Sequence, residues 1–243
     1  KEECEKLKQQ FENYWGLSNE FNREKFVKKW MFSLKKDSSL LDAGAGEQGY
    51  KKYAQHLKYT SQDFGIYEGA KQSGDFFNSE WHSKSCDIIC DITDIPRSDS
   101  SFDNILCTEV FEHIPNPTKA LTELSRLLKV NGQMLITAPF RCLYHQVPYF
   151  FYSGFSKYWY EHFAKENNLE IICIMPNGNY FQDLAQEVYR ISTFQSFPLR
   201  MINLLFTVPF FCFLLFMDKI TNIKTPESCW GYHVVFQKKN KLI

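Results

Sequence analysis

The sequence predicts a doubly wound α/β fold: a mostly parallel sheet of seven strands with an aromatic helical cap. Three observations point to it. Leu40-Leu41-Asp42-Ala43-Gly44-Ala45-Gly46 runs from two apolar residues into an acid and a glycine-rich turn, the way a first parallel strand ends at a ligand. Short apolar runs then alternate with stretches of helical periodicity down the chain. A last strand-like run, Gly231-Tyr232-His233-Val234-Val235-Phe236-Gln237, returns after a long insertion.

Residues 1–36 read as helical, with Phe26, Val27, Trp30, Met31 and Leu34 at helical spacing and an earlier apolar patch at Phe11, Tyr14, Trp15 and Leu17. Residues 38–42 form the first strand, 50–57 a helix and 58–63 the second strand. Residues 66–85, with Gly69 and Gly74, lack periodicity and read as an irregular excursion. The third strand is 86–90, leading into Asp91-Ile92, and the fourth is 101–107. An amphipathic helix over 118–129 lines up Ala120, Leu121, Leu124, Leu127 and Leu128, and Asn131-Gly132 closes it. Residues 133–138 are the fifth strand, 154–167 a helix rich in aromatics, 170–175 the sixth strand and 177–191 a turn and helix. The resulting map is 1–36 N-terminal helices, 37–176 nucleotide-cofactor core, 177–229 hydrophobic helical insertion and 230–243 final strand.

The glycine turn admits two cofactors. Gly44, Gly46 and Gly49 fit the dinucleotide spacing G-x-G-x-x-G, with Asp63 at the distance of a ribose-binding acid. Asp42 argues against a dinucleotide. A carboxylate beside the turn repels a pyrophosphate and attracts the ammonium of an amino-acid moiety. S-adenosylmethionine has that ammonium and no phosphate.

Composition narrows the rest. The formal net charge is zero and there is no long basic stripe, which argues against nucleic acid as a partner. Aromatics make up 17% and concentrate after Phe140, which suggests an apolar cleft or interface alongside ordinary core packing. Eight cysteines are scattered without a C-x-x-C and read as small buried hydrophobes in a reducing cytoplasm. Cys86, Cys90 and His82 are poorly spaced for zinc. No signal-peptide pattern stands at the start, which opens on Lys1 rather than methionine.

The D-x-G-x-G turn, the block S-F-D-N-I-L-C-T-E-V-F-E-H-I-P and the later L-L-K-V-N-G-Q-M-L-I-T-A-P resemble the class I, Rossmann-like S-adenosylmethionine-dependent methyltransferases. Within that family the block is similar to the ubiquinone-pathway O-methyltransferases. The resemblance implies S-adenosylmethionine as cofactor, with Asp42, Gly44 and Gly46 at the turn and Asp63 on the ribose hydroxyls. It also implies Asp91 at the adenine amino group, Ile92 packed on the ring and Thr108 beside the cofactor. It places a seventh, antiparallel strand beside the sixth.

In the ubiquinone-pathway enzymes a matching E-x-x-E-H is assigned to a divalent metal. The spacing of Glu109, Glu112 and His113 would bring the three onto one face of a helix. The preferred reading has no metal: His113 or His145 takes the acceptor's proton, and His162 and His233 lie farther along. The stretch from His145 through Tyr160 looks like bacterial methyltransferases found with surface-polysaccharide enzymes. That resemblance implies O-methylation of a sugar or sugar-linked small molecule. A quinone or lipid-like acceptor is the alternative, and a catalytically inactive S-adenosylmethionine-binding scaffold fits the same turn.

Residues 201–217 form an uncharged apolar run interrupted by Pro209. Spanning a bilayer would strand 231–237 away from its sheet, so the run is expected as two short helices buried in the cap or in a homodimer contact. Peripheral membrane contact is the other expectation for this otherwise cytoplasmic reading.

Overall fold

The computed structural model describes residues 18–65, 86–193, 196–221 and 228–240. The apolar patch at Phe11–Leu17, the excursion over 66–85 and His82 lie outside the described residues. The described residues fall into two compact units, one of 26–175 and 231–240, the other of 18–25 and 176–230.

The first unit is built on a seven-stranded sheet. Its strands are β1 (Ser39–Ala43), β2 (Lys58–Asp63), β3 (Ile88–Ile89), β4 (Phe102–Thr108), β5 (Leu128–Pro139), β6 (Leu169–Asn177) and β7 (Gly231–Lys238), in the order β3-β2-β1-β4-β5-β7-β6. Strands β3, β2, β1, β4 and β5 pair in parallel, and β7 runs antiparallel to β5 with Ile136 opposite Val234. The chain order reverses between β1 and β4, and ligands of open α/β sheets bind at the strand ends beside such a switch point. The central strands read as unbroken apolar runs because both faces are covered. Leu40, Leu41, Ile105, Leu106, Leu135 and Ile136 are fully buried.

Helix α1 (Ser18–Ser33) packs Val27, Trp30 and Met31 on one face of the sheet, against Leu40, Leu106 and Leu135. Helix α2 (Pro117–Leu127) opens with Asn116 as its N-cap, the side chain accepting from Lys119 N–H at 3.1 Å, and with Pro117 in the first turn, where no N–H is required. Helix α3 (Lys157–Glu166) is capped by Ser156. It brings Trp159 and Tyr160 onto Phe155, and Tyr160 onto Tyr232 and Phe236. Phe155, Tyr160, Tyr232 and Phe236 are therefore core of the sheet unit.

Two predicted local features differ. The helix expected over 50–57 is only a 3₁₀ turn, Lys51–Tyr53. Strand β2 starts at Lys58, and the turn already delivers Tyr50, Tyr53, Ala54 and Leu57 to the core. Asn131-Gly132 does not close a helix. Helix α2 ends at Leu127 and β5 starts at once, with Asn131 at φ +64° inside it and the register with β4 shifting between Phe102 and Asn104. Pairing with β4 overrides the local turn preference of Asn-Gly there.

In the second unit, Asn177 ties back to the chain start, its Nδ2 donating to the backbone and side-chain oxygens of Asn19 at 3.1 and 2.7 Å. Helix α4 (Tyr180–Thr193) packs on helix α5 (Phe197–Thr221) through Ala185, Val188, Phe211 and Leu214. The two short helices expected around Pro209 are one 25-residue helix, with the proline inside it. Nor is the run buried: among the described residues of α5 only Phe211 and Leu214 are. Proline removes one donor and crowds the carbonyl four residues back, but it does not force a break where a long helix is held on either side.

Candidate functional site

The glycine turn leaves the end of β1. Gly44 and Gly46 take φ of +72° and +49°, a region that costs other residues strain. The register places Gln62 opposite Ala43, and the end of β2 then satisfies the turn. Gly44 N–H donates to Gln62 Oε1 at 3.2 Å, Ala45 N–H to Gln62 O at 2.9 Å and Gly46 N–H to Asp63 Oδ2 at 2.9 Å. Gln62 also donates from Nε2 to the Cys90 carbonyl at 2.8 Å, joining β1, β2 and β3. Sequence reasoning missed Gln62. Its one signal is a long polar side chain next to Asp63 in a strand of a buried sheet. The turn thus spends three successive N–H groups internally and has no α-helix N-terminus behind it. Those are the two features that hold a pyrophosphate.

Asp42 is 2% exposed, and its Oδ2 accepts a 2.6 Å hydrogen bond from the Tyr59 hydroxyl. Burial pushes its carboxyl up to about 6, against the lowering effect of the Tyr59 bond, and the nearby Asp63 carboxylate adds to the rise. An ordinary Asp ionises near 3.8. Between those values the folded protein holds the extra proton, so this group makes stability fall as pH rises through the window. Asp42→Asn is therefore expected to stabilise the ligand-free protein at pH above about 7 by roughly 1–3 kcal/mol and to give no gain near pH 4. Thermal melts of both proteins at the two pH values check it.

Asp63, at the end of β2, accepts from Gly46 N–H and, through Oδ1, from Gly65 N–H at 3.1 Å. A carboxylate has about four lone-pair sites, so two remain for a diol. Asp91 is exposed, with Oδ1 accepting from Thr93 N–H at 2.7 Å. Ile92 is buried, contrary to a platform for a ring. The exposed apolar side chain at that edge is Ile89 of β3. Thr108 ends β4, paired with Thr137 of β5.

After β4 the chain makes a single 3₁₀ turn, Phe111–His113. Glu109, at φ +52°, points its Oε1 to the Thr137 hydroxyl at 2.9 Å. The expected convergence of Glu109, Glu112 and His113 does not form, because a 3₁₀ turn lacks the i, i+3, i+4 face of an α-helix. His145 arrives instead. The loop after β5 is pinned at its base by Phe155 N–H on the Pro139 carbonyl, and at its middle by Phe151 and Tyr152 N–H on the Glu112 carbonyl. Gly154 permits the base contact, since a Cβ there would stand 2.0 Å from the Phe140 carbonyl oxygen.

His113 and His145 meet edge to face, ring centroids 4.8 Å apart. His113 Nδ1 lies 2.5 Å from the Tyr149 carbonyl and His145 Nδ1 3.0 Å from that of Leu143. A carbonyl only accepts, so each Nδ1 carries the proton and each Nε2 is an open acceptor. His113 Nε2 is 3.7 Å from Glu112 Oε1. Burial holds the His113 imidazole down at about 4, the Tyr149 bond opposes this and the His145 ring adds to it. One ligand-like atom from each of Glu112, His113 and His145 lies within 4.8 Å of the others. Phe64, beyond Asp63, packs edge-on against Tyr149 at 5.3 Å, so the loops after β2, β4 and β5 meet at one edge of the sheet. His162 pairs with Glu166 at 3.3 Å, and His233 is buried in β7 against Phe26; neither joins the site.

Comparison with known proteins matches residues 41–136 to the methyltransferase domain family. An uncharacterised protein of Methanocaldococcus jannaschii is 29% identical over 105 residues, 43% of this chain and 42% of that protein. The chain therefore matches about two fifths of the length of this curated relative. Among solved structures, the [4+2]-cyclase SpnF superposes with a TM-score of 0.55 at 14% identity, covering 90% of this chain and 80% of that one. Phosphoethanolamine N-methyltransferase 2 of Haemonchus contortus, crystallised with S-adenosylmethionine, superposes with a TM-score of 0.51 at 16% identity, over 90% of this chain and 53% of its own. These likenesses show the fold. They also show one fold carrying cyclisation and methyl transfer.

Proposed function

We propose that the chain is a class I S-adenosylmethionine-dependent methyltransferase and that it methylates a hydroxyl of a sugar or sugar-linked small molecule. The observation that carries this reading is the His113 imidazole, kept neutral by burial and oriented by the Tyr149 carbonyl so that Nδ1 carries the proton and Nε2 can accept. An amine acceptor can lose its proton to water before it attacks. A sugar hydroxyl keeps its proton near neutral pH and needs a base at the moment of attack. Tyr144, Tyr149 and Tyr152 on the same loop present apolar faces with polar tips, and Phe150 adds an apolar face, surfaces suited to a sugar ring.

The donor set fits the cofactor. Asp42 supplies a carboxylate beside the turn, Asp63 offers lone pairs to a ribose diol and Asp91 keeps its second oxygen for an amino group. When bound, S-adenosylmethionine supplies an electrophilic methyl on a sulfonium and leaves as a neutral thioether. His113 Nε2 would take the acceptor's proton as the acceptor oxygen receives the methyl that S-adenosylmethionine would supply, with a neutral thioether as the leaving group. The protonated ring then lies beside the Glu112 carboxylate.

Calorimetry tests the cofactor part. S-adenosylhomocysteine is expected to bind and NAD not to, because the turn's N–H groups are spent within the protein. Asp63→Ala is expected to weaken S-adenosylhomocysteine by about 1.5–3 kcal/mol, from lost charge-assisted bonds. Tight NAD binding would sink the assignment. For the acceptor, transfer of labelled methyl groups to a panel of sugars, quinones and phenols decides between the sugar and the lipid-like reading. A protein that binds cofactor and methylates nothing is the inactive scaffold.

A second reading rests on the same histidines. Rings anchored by Nδ1–H to carbonyls, with one nitrogen of each and a Glu112 carboxylate oxygen within 4.8 Å of one another, also suit a divalent metal. If a chelator abolishes turnover and Mn²⁺ restores it, the metal replaces the histidine base. If the chelator does nothing, the base reading stands.

A further inference from the structure

We propose that α5 is a membrane-docking helix that lies in the headgroup region of a bilayer with one half of its circumference among the acyl chains. At about 3.6 residues per turn, Ile202, Leu205, Phe206, Phe210, Phe213 and Phe216 fall on one half of the helix. All six are exposed. Phe211 and Leu214 fall on the opposite half and pack on α4. The helix is long and apolar enough to cross a membrane. Two ordinary explanations of such a helix fail here: it is not the buried core helix of a soluble domain, and it does not sit at the chain start.

The charges fit a lipid surface. Asp218, the acid of α5, faces α4, where Asn179 and Gln182 donate to it at 2.5 and 2.9 Å. Arg200 and Lys219 stand exposed near the two ends, spaced to reach headgroup phosphates while their stems follow the apolar surface. Between them the exposed half carries no formal charge.

A span is excluded by the chain's path. The segment leaves the sheet at the end of β6 and returns to it at β7, so one crossing would need a second. The other described helix between them, α4, carries Asp183, Gln186, Glu187 and Arg190 and cannot cross. A second copy is the weaker occupant. Half the surface of a helix about 37 Å long and 10 Å wide is about 600 Å². Helix-on-helix contact would bury only a stripe of it, against the roughly 800 Å² per partner of a stable interface. The face also lacks Tyr and Trp, the usual anchors of protein contacts, and any side chain able to pair across such an interface.

The inference is independent of the methyl acceptor, and its test needs no turnover. Full-length protein is floated with phosphatidylcholine vesicles at about 0.1 and 1 M salt. Co-flotation at both concentrations is expected, because the contact is mainly hydrophobic. F206E/F213E should lower the vesicle-bound fraction at least about tenfold. Its S-adenosylhomocysteine affinity and helical circular dichroism should stay unchanged, since both positions are exposed. The fluorescence added by F213W should be quenched by brominated lipid and that added by F211W should not. Absence of co-flotation overturns the proposal, as does equal flotation of the double variant. A dimer in sedimentation without lipid, dissolved by F206E/F213E, would give the face to a second copy and equally overturn it.

Discussion

His113→Asn lowers kcat by about 10²–10⁴-fold, the usual range for a lost general base, and leaves S-adenosylhomocysteine affinity within about twofold. The ring's burial gives this variant a second signature. Its folded value near 4 lies below the ordinary 6.5 of a histidine. Between the two the unfolded chain binds the extra proton, so stability rises with pH across that window, by at most about 3 kcal/mol. His113→Asn should flatten that rise. For the wild type, protonation of His113 leaves the rate untouched from about pH 5 to 8, because the ring is already neutral there. His145→Ala separates the partners. If His145 is the base, its loss and not that of His113 lowers kcat. If neither variant loses rate, the acceptor needs no base and the O-methyl reading falls, while the cofactor assignment stands on its calorimetry.

Gly44→Ala should destabilise the protein by about 2–5 kcal/mol and weaken cofactor binding with it. A Cβ there would stand 2.5 and 2.8 Å from the two γ-methyls of Val110, on the loop after β4. The φ of +72° adds about 1–2 kcal/mol of backbone strain, and the overlap adds about 1–3 kcal/mol. Val110→Ala in the same chain removes both methyls. The double variant should recover the overlap part and keep the strain part, read as two steps in denaturant midpoint. A double variant no more stable than Gly44→Ala would show that the loop does not press on the turn.

Residue patterns within a few positions of one another carried far in this chain. Leu40-Leu41-Asp42 with its glycines marks a strand ending in a cofactor turn whatever surrounds it, because only glycine takes positive φ freely. The apolar runs of β4 and β5 and the stripe of α2 are equally local, and they place Asp63, Asp91 and Thr108 at successive strand ends. His113 and His145 pair as candidates because the loops after β4 and β5 open on the same edge of such a sheet.

What tertiary structure decided are the features that depend on partners distant in sequence. Gln62 serves the turn because the β1–β2 register sets it opposite Ala43, and no local pattern encodes a register. Glu109 is drawn off by Thr137, twenty-eight residues on, so the three-ligand face expected from spacing alone is completed by His145 instead. Asn131-Gly132 is carried through by β4 pairing, and the segment after Gly49 is held to a 3₁₀ turn by the start of β2. Pro209 stays inside one helix because α4 supports α5. That same packing uses one half of the helix and leaves the other apolar half outside. A sequence can show that a helix is hydrophobic all round, but which half finds a protein partner is set by the packing free energy of the folded chain.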